Sequence, residues 1–219
     1  LGYSSIAQLG LVLTVIGQRD VLGDRYQFIA FGILASHAVA KAGLFWLSGL
    51  VAGRGLTAWS VLRSRPPMVF AFVTFLGLLC GLPPFPSFYA KWELARLLAG
   101  EGRLAILGLI LFGALVEAGY LFRWFGYIIK RDLPEQPLAF APLKCGVVLA
   151  AVAVGWGLSF LWGNLLLAVP LAFALSFLVL EGLPAWVKNT LAIAGMVAFF
   201  AVTAADYDPL RLIFATIIL

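Results

Sequence analysis

Long apolar runs, broken by short polar stretches, set the plan of this chain. The first run covers Leu1 to Gly17. A polar stretch from Gln18 to Arg25 follows, with Arg19, Asp20, Asp24 and Arg25. The second run, Tyr26 to Val51, is long enough to cross a bilayer with tilt or a local break, since a span takes about 20 apolar residues. A basic loop, Gly53 to Pro67, carries Arg54, Arg63 and Arg65. Met68 to Leu82 is the third run, and a proline-broken segment leads into a helix expected to continue to about Ala99. Gly100 to Arg103 turns the chain into a fifth run, Leu104 to Ile129. The longest polar loop is Lys130 to Pro142. Beyond it come Lys144 to Leu161, a break at Trp162-Gly163-Asn164, Leu165 to Leu180, Ala185 to Ala205, and a run that begins at Pro209. The pattern predicts eight or nine helical segments.

Composition fixes the class. Of 219 residues, 63% are hydrophobic and 11% charged, and the mean hydropathy is +1.04. Soluble domains do not look like this. The chain is expected to be all-α, a polytopic transmembrane helical bundle lying in the lipid bilayer. Barrel strands would alternate apolar and polar residues, and these runs do not. Lys and Arg divide almost equally between alternate loops, so the positive-inside rule leaves the orientation open. The chain is apolar from Leu1, lacks the basic start of a signal peptide, and ends at Leu219 inside an apolar run. It is read as part of a longer protein.

Several chemistries are not expected. The net charge of +5 comes from bases scattered singly through loops, with no aromatic-interleaved patch for nucleic acid. One histidine and two distant cysteines, Cys80 and Cys145, offer no metal or iron–sulfur ligand set. No phosphate-binding loop appears. The expectation is no cofactor, no metal and no redox centre of the chain's own.

The broken segment is Gly81-Leu-Pro-Pro-Phe-Pro-Ser-Phe-Tyr-Ala-Lys91-Trp-Glu93. Pro83, Pro84 and Pro86 cannot lie inside a regular helix. Irregular backbone at membrane depth needs protein or water to satisfy it. A break beside a lysine suits a proton or ion path; a short loop with Lys91 reaching back to the surface is the plainer alternative. His37 and Lys41 stand four residues apart on one helical face, inside an apolar run. Histidine titrates near neutrality, and two such neighbours can pass a proton. Otherwise they are a histidine bonded to backbone and a lysine paired with an acid. Glu117 is the only acid deep in the fifth run. Arg123, six positions on, does not share its face, so its partner is expected on another helix, with Lys91 or Lys41 as candidates. Glu93 can pair with Arg96. Ser4 and Ser5 can hydrogen-bond across helices or hold water.

Three stretches together carry a resemblance. Leu1-Gly-Tyr-Ser-Ser-Ile-Ala-Gln-Leu-Gly10, His37-Ala-Val-Ala-Lys41-Ala-Gly-Leu-Phe45 and Gly81-Leu-Pro-Pro-Phe-Pro-Ser-Phe-Tyr-Ala-Lys91 resemble, in order and spacing, segments of the antiporter-like proton-translocating membrane subunits. That family includes membrane subunits of respiratory complex I (the NADH-quinone oxidoreductase), Mrp-type Na+/H+ antiporters and the membrane arms of energy-converting hydrogenases. The resemblance covers about residues 1–131. It implies two inverted repeats, each with a broken helix, around a buried row of charges, of which this chain holds mainly the second repeat. It implies that His37 and Lys41 belong to a central relay and that Lys91 exchanges protons with one side of the membrane. Ser87 departs from the usual glycine, and Glu117 is not a general family position. A lysine upstream of Tyr3 and the glutamate–lysine pair of the first repeat are not in the chain. Residues 142–219 are read as additional C-terminal helices or as the start of a fused second unit.

The resulting expectation is a translocase subunit of a redox-driven oxidoreductase complex, moving protons through Lys41, His37, Lys91 and Glu117, with Glu93, Ser4 and Ser5 secondary. Its partners would be other membrane subunits and a peripheral redox arm. It would sit in a bacterial or archaeal cytoplasmic membrane, or an organelle inner membrane. The alternatives are Na+/H+ exchange or proton-coupled solute uptake without a redox partner, and a structural scaffold with locked ion pairs.

Overall fold

The polar stretch at Gln18 to Arg25 does not remain a loop. It holds a one-turn helix, α2 (Arg19–Leu22), between α1 (Gly2–Gly17) and α3 (Arg25–Ser48). In this computed structural model, residues 2–51, 53, 55–130 and 141–162 are described, with Pro184, Trp186, Val187 and Thr190 as isolated positions. Every regular element among them is helical. The remaining helices are α4 (Pro66–Cys80), α5 (Pro86–Gly100), α6 (Leu104–Ile129) and α7 (Pro142–Trp162). The runs expected beyond residue 162 lie outside the described residues, as does most of the loop after Lys130.

Three helices are long and apolar enough to cross a membrane: α3, α6 and the first 18 residues of α7. The second run is one unbroken helix, α3, rather than a broken span. Helix α4 has 15 residues, about 22 Å at the helical rise, which falls short of a hydrocarbon core about 30 Å thick. The break that follows is buried within the bundle, and α5 continues beyond it.

The basic loop also contains more order than its composition suggests. Leu56–Ser64 forms a 3-10 helix. Leu56, Trp59 and Leu62 recur every third residue, which matches a helix of three residues per turn. Trp59 and Leu62 are buried, and Trp59 meets Trp124 of α6 edge to face, with ring centroids 4.5 Å apart.

Helix α3 is the hub, packed on α1, α4, α5 and α7. Two apolar clusters hold the bundle. One joins Leu44 and Leu47 of α3 with Phe72, Phe75 and Leu79 of α4, Leu121 and Trp124 of α6, and Val148 and Trp156 of α7. The other joins Val12 and Val15 of α1 with Ile29 and Ile33 of α3 and Ala90, Leu94 and Leu98 of α5. Gly43 lets α4 approach α3, since a Cβ there would stand 2.2 Å from the Phe75 ring. On α3, Ser36 and His37 lie between the two clusters, and Lys41 stands beside Ala40 at the near end of the first. On α6, Glu117 lies between Ile110, packed on the second cluster, and Leu121, in the first. A polar layer thus crosses the middle of the bundle.

Candidate functional site

The break between α4 and α5 organises the site. An α-helix ends with four carbonyls lacking helical partners, and in lipid each must find one. Here all four do. Gly77 O accepts from the N–H groups of Gly81 (3.0 Å) and Leu82 (2.9 Å). Leu78 O accepts from the Ser87 hydroxyl at 2.7 Å. Leu79 O and Cys80 O both accept from Lys91 Nζ, at 3.3 and 3.2 Å. The turn needs Gly81, whose φ is +76°. On the far side, Ser87 N–H, an orphan donor at the start of α5, gives its hydrogen bond to Ser36 Oγ on α3 at 3.0 Å.

Lys91 is 7% exposed, so it does not reach back to the surface. Its ammonium sits at the carbonyl end of α4, where the helix dipole favours a cation. It also stands 3.3 Å from Oε2 of Glu117 on α6. Glu117 is buried as well. Its two carboxylate oxygens accept from Gln8 Nε2 of α1, at 2.9 and 2.8 Å. Four elements, α1, α4, α5 and α6, therefore meet at one buried ion pair.

A second cluster lies between α1 and α3. Lys41 is buried and donates to the Ser4 hydroxyl. Half-buried His37 has its Nε2 3.3 Å from Ser5 Oγ. One face of α1 thus carries Ser4 and Ser5 to the His37–Lys41 cluster and Gln8, four residues on from Ser4, to the Lys91–Glu117 pair. A cleft of about 1280 Å³ between α1 and α6 is lined by Ser4, Gln8, Lys91, Glu117 and Tyr120 among mainly apolar groups.

Lys41, His37, Lys91, Glu117, Ser4 and Ser5 all fall in this polar layer. Glu93 does not. It pairs with Arg96 of α5 at 2.8 Å and with Arg25 at the start of α3 at 3.8 Å. Sequence reasoning passed over Gln8 and Ser36, and took Ser87 only as a departure from glycine. A signal existed for Gln8, since it shares a helical face with Ser4 in an otherwise apolar helix. Cys80 and Cys145 are free thiols, and no group of three or more metal-ligating side chains occurs among the described residues.

A family model described as NADH:quinone oxidoreductase/Mrp antiporter, transmembrane, matches residues 1–116. The chain belongs to this family. The family is one of integral membrane subunits, and α3, α6 and α7 are the candidate spans among the described residues. Over 140 residues it is 29% identical to NADH-quinone oxidoreductase subunit N of Desulforudis audaxviator, covering 62% of this chain and 27% of that relative. Over 161 residues it is 28% identical to subunit N 1 of Sorangium cellulosum, covering 70% and 32%. Over 152 residues it is 28% identical to a Staphylococcus aureus protein named as antiporter subunit mnhA2, covering 60% and 19%. The chain thus spans less than a third of the length of each of these relatives. No solved structure matches it. The three stretches that carry the resemblance lie inside the matched residues, and Glu117 lies one residue beyond them.

Proposed function

We propose that this chain forms part of a proton-translocating membrane subunit in a redox-driven respiratory or hydrogenase-type complex. Protons pass along Lys41, His37, Lys91 and Glu117. The observation that carries this reading is the row of buried ionisable groups in the middle of an apolar bundle. Such groups are costly in a membrane and commonly mark ion or proton paths. The helix break beside Lys91 supports it, because half-helix ends hold coupling ions in transporters. A charge change at one pair alters the field at the next, and protons hop along hydrated side chains.

The chain supplies no redox chemistry in this scheme. A peripheral redox arm drives the movement, and other membrane subunits complete the path. Residues 1–131 are the conducting second-repeat core, and residues 142–219 belong to added C-terminal segments or a fused second unit. The complex resides in a bacterial or archaeal cytoplasmic membrane, or an organelle inner membrane.

A second reading is Na+/H+ exchange without a redox partner. It is favoured by the similarity to the antiporter subunit, which is as high as that to one of the subunit N relatives. Gentle purification of the complex with identification of its companions by mass spectrometry separates the two. Iron–sulfur, flavin or nickel–iron subunits support the first reading, and antiporter-type membrane subunits alone support the second. Proton flux in vesicles then tests both: Lys41→Ala and Lys91→Ala abolish it with the assembly intact. Unchanged flux would sink the relay and leave a structural scaffold.

A further inference from the structure

The Gln8 amide is buried and meets both oxygens of Glu117 through one nitrogen. That orientation suits the ionised carboxylate and persists when one oxygen is protonated. An ionised carboxylate is an acceptor at every lone pair, so the amide must present N–H groups to it. A protonated carboxyl carries one O–H donor. If Oε2 takes a proton from Lys91, the new O–H points back at Nζ, and Oε1 still accepts from Gln8 Nε2 at 2.9 Å. The amide therefore keeps a hydrogen bond to the carboxyl in both states. The proton has a source at hand: Lys91 Nζ stands 3.3 Å from Oε2. Transfer across that contact leaves a neutral amine and a neutral carboxyl, with charge and protons balanced.

We propose that Gln8 is a positioning residue for Glu117, with a side-chain amide that holds the carboxyl group against Lys91 both before and after it takes a proton. This deepens the proton-conducting reading and rests on it. Gln8 holds the carboxylate of α6 against Lys91 of α5, so that a proton can pass between them and return. Ser4, one turn earlier on the same face of α1, holds Lys41. Gln8 and Ser4 therefore tie the two clusters to one helix. The titratable groups within electrostatic reach of Glu117 are Lys91 on α5, Lys41 and His37 on α3, Cys80 on α4 and Tyr120 on α6. An alternation of Glu117 is thus set against two lysines and a histidine.

The test uses the full complex in vesicles, with infrared difference spectra recorded across a pH series. The band of protonated Glu117 is identified by its loss in Glu117→Gln. In Gln8→Leu the band is expected to move, because the carboxyl loses its amide partner, and proton flux is expected to fall about tenfold, the scale of a buried polar group left unsatisfied. Gln8→Met, unbranched and close in length, repeats the measurement should the leucine variant fail to assemble. An unmoved band overturns the proposal whatever the flux, since a loss of flux alone would then be packing. A moved band with native flux overturns it too, as does the lack of any protonated Glu117 band in the native protein. If Glu117→Gln and Lys91→Ala leave flux unchanged, the proton-conducting reading itself fails, independently of Gln8.

Discussion

Lys91 Nζ lies 3.3 Å from Glu117 Oε2 and 3.2 Å from the carbonyl of Cys80. One ammonium therefore joins the acid of α6 to the broken end of α4. It neutralises a carboxylate and satisfies two helix-end carbonyls at once, which explains how a lysine is retained in an apolar bundle. The same arrangement makes each partner costly to remove alone.

Breaking this pair from either side should destabilise the protein. A buried charge left without its partner costs about 3–5 kcal/mol, so Glu117→Leu and Lys91→Met should each lower the melting temperature of the purified complex. The double variant should recover part of that loss, because no unpaired charge remains, although Leu79 O, Cys80 O and the Gln8 amide still lack their partners. Proton flux should remain lost in all three. Thermal unfolding and vesicle flux measured on the same preparations check this. A double variant no more stable than the singles would mean that the pair is not the unit of stability.

The Ser4 hydroxyl should matter to Lys41 in the same way on a smaller scale. A hydrogen bond to a charged group contributes about 1.5–3 kcal/mol. Ser4→Ala should therefore destabilise by up to that amount and slow proton flux, whereas Ser4→Thr keeps the hydroxyl and should stay near native. Lys41→Ala should be the more severe change for flux. Equal flux in Ser4→Ala and the native protein would place Ser4 outside the path.

Much of this was legible in the sequence, and the reasons differ by element. The helices show because an apolar run has few other ways to satisfy its backbone in lipid. The break shows because Pro83, Pro84 and Pro86 forbid a regular helix there. Pairing across helices does not show. Glu117 could have met Lys41 or Lys91, and only the packing of α6 against α5 decides between them. Gln8 is chemically ordinary, and its meaning comes from a carboxylate 109 positions away. The 3-10 helix at Leu56–Ser64 was masked by arginines, although its apolar residues already repeated every third position.

Gly81 should tolerate no side chain. Its φ of +76° lies in the left-handed region, which costs an L-residue about 1–2 kcal/mol. A Cβ there would also stand 3.0 Å from Cδ of Lys91. Gly81→Ala should therefore destabilise by at least the backbone cost and push the lysine stem away from the α4 carbonyls. Flux should fall with stability. A variant with native melting behaviour and native flux would show that the turn is not held in this conformation.

Ser87 offers a separation of stability from transport. Its hydroxyl donates to Leu78 O at 2.7 Å, while its backbone N–H donates to Ser36 Oγ at 3.0 Å. Ser87→Gly removes the first bond and keeps the second. The freed carbonyl loses about 1 kcal/mol of net hydrogen bonding, and up to about 3 kcal/mol if nothing replaces the donor. Lys91 keeps its contacts with Leu79 O, Cys80 O and Glu117, because none of them passes through the serine hydroxyl. The expected outcome is a lower melting temperature with flux close to native. Ser36→Ala removes the second bond instead and leaves the start of α5 with an unsatisfied buried N–H. That variant should cost as much stability and should also slow flux, because the residue it frees opens the helix that carries Lys91. Flux measured per assembled complex distinguishes the two. Loss of flux in Ser87→Gly at full assembly would mean that the hydroxyl itself takes part in the path.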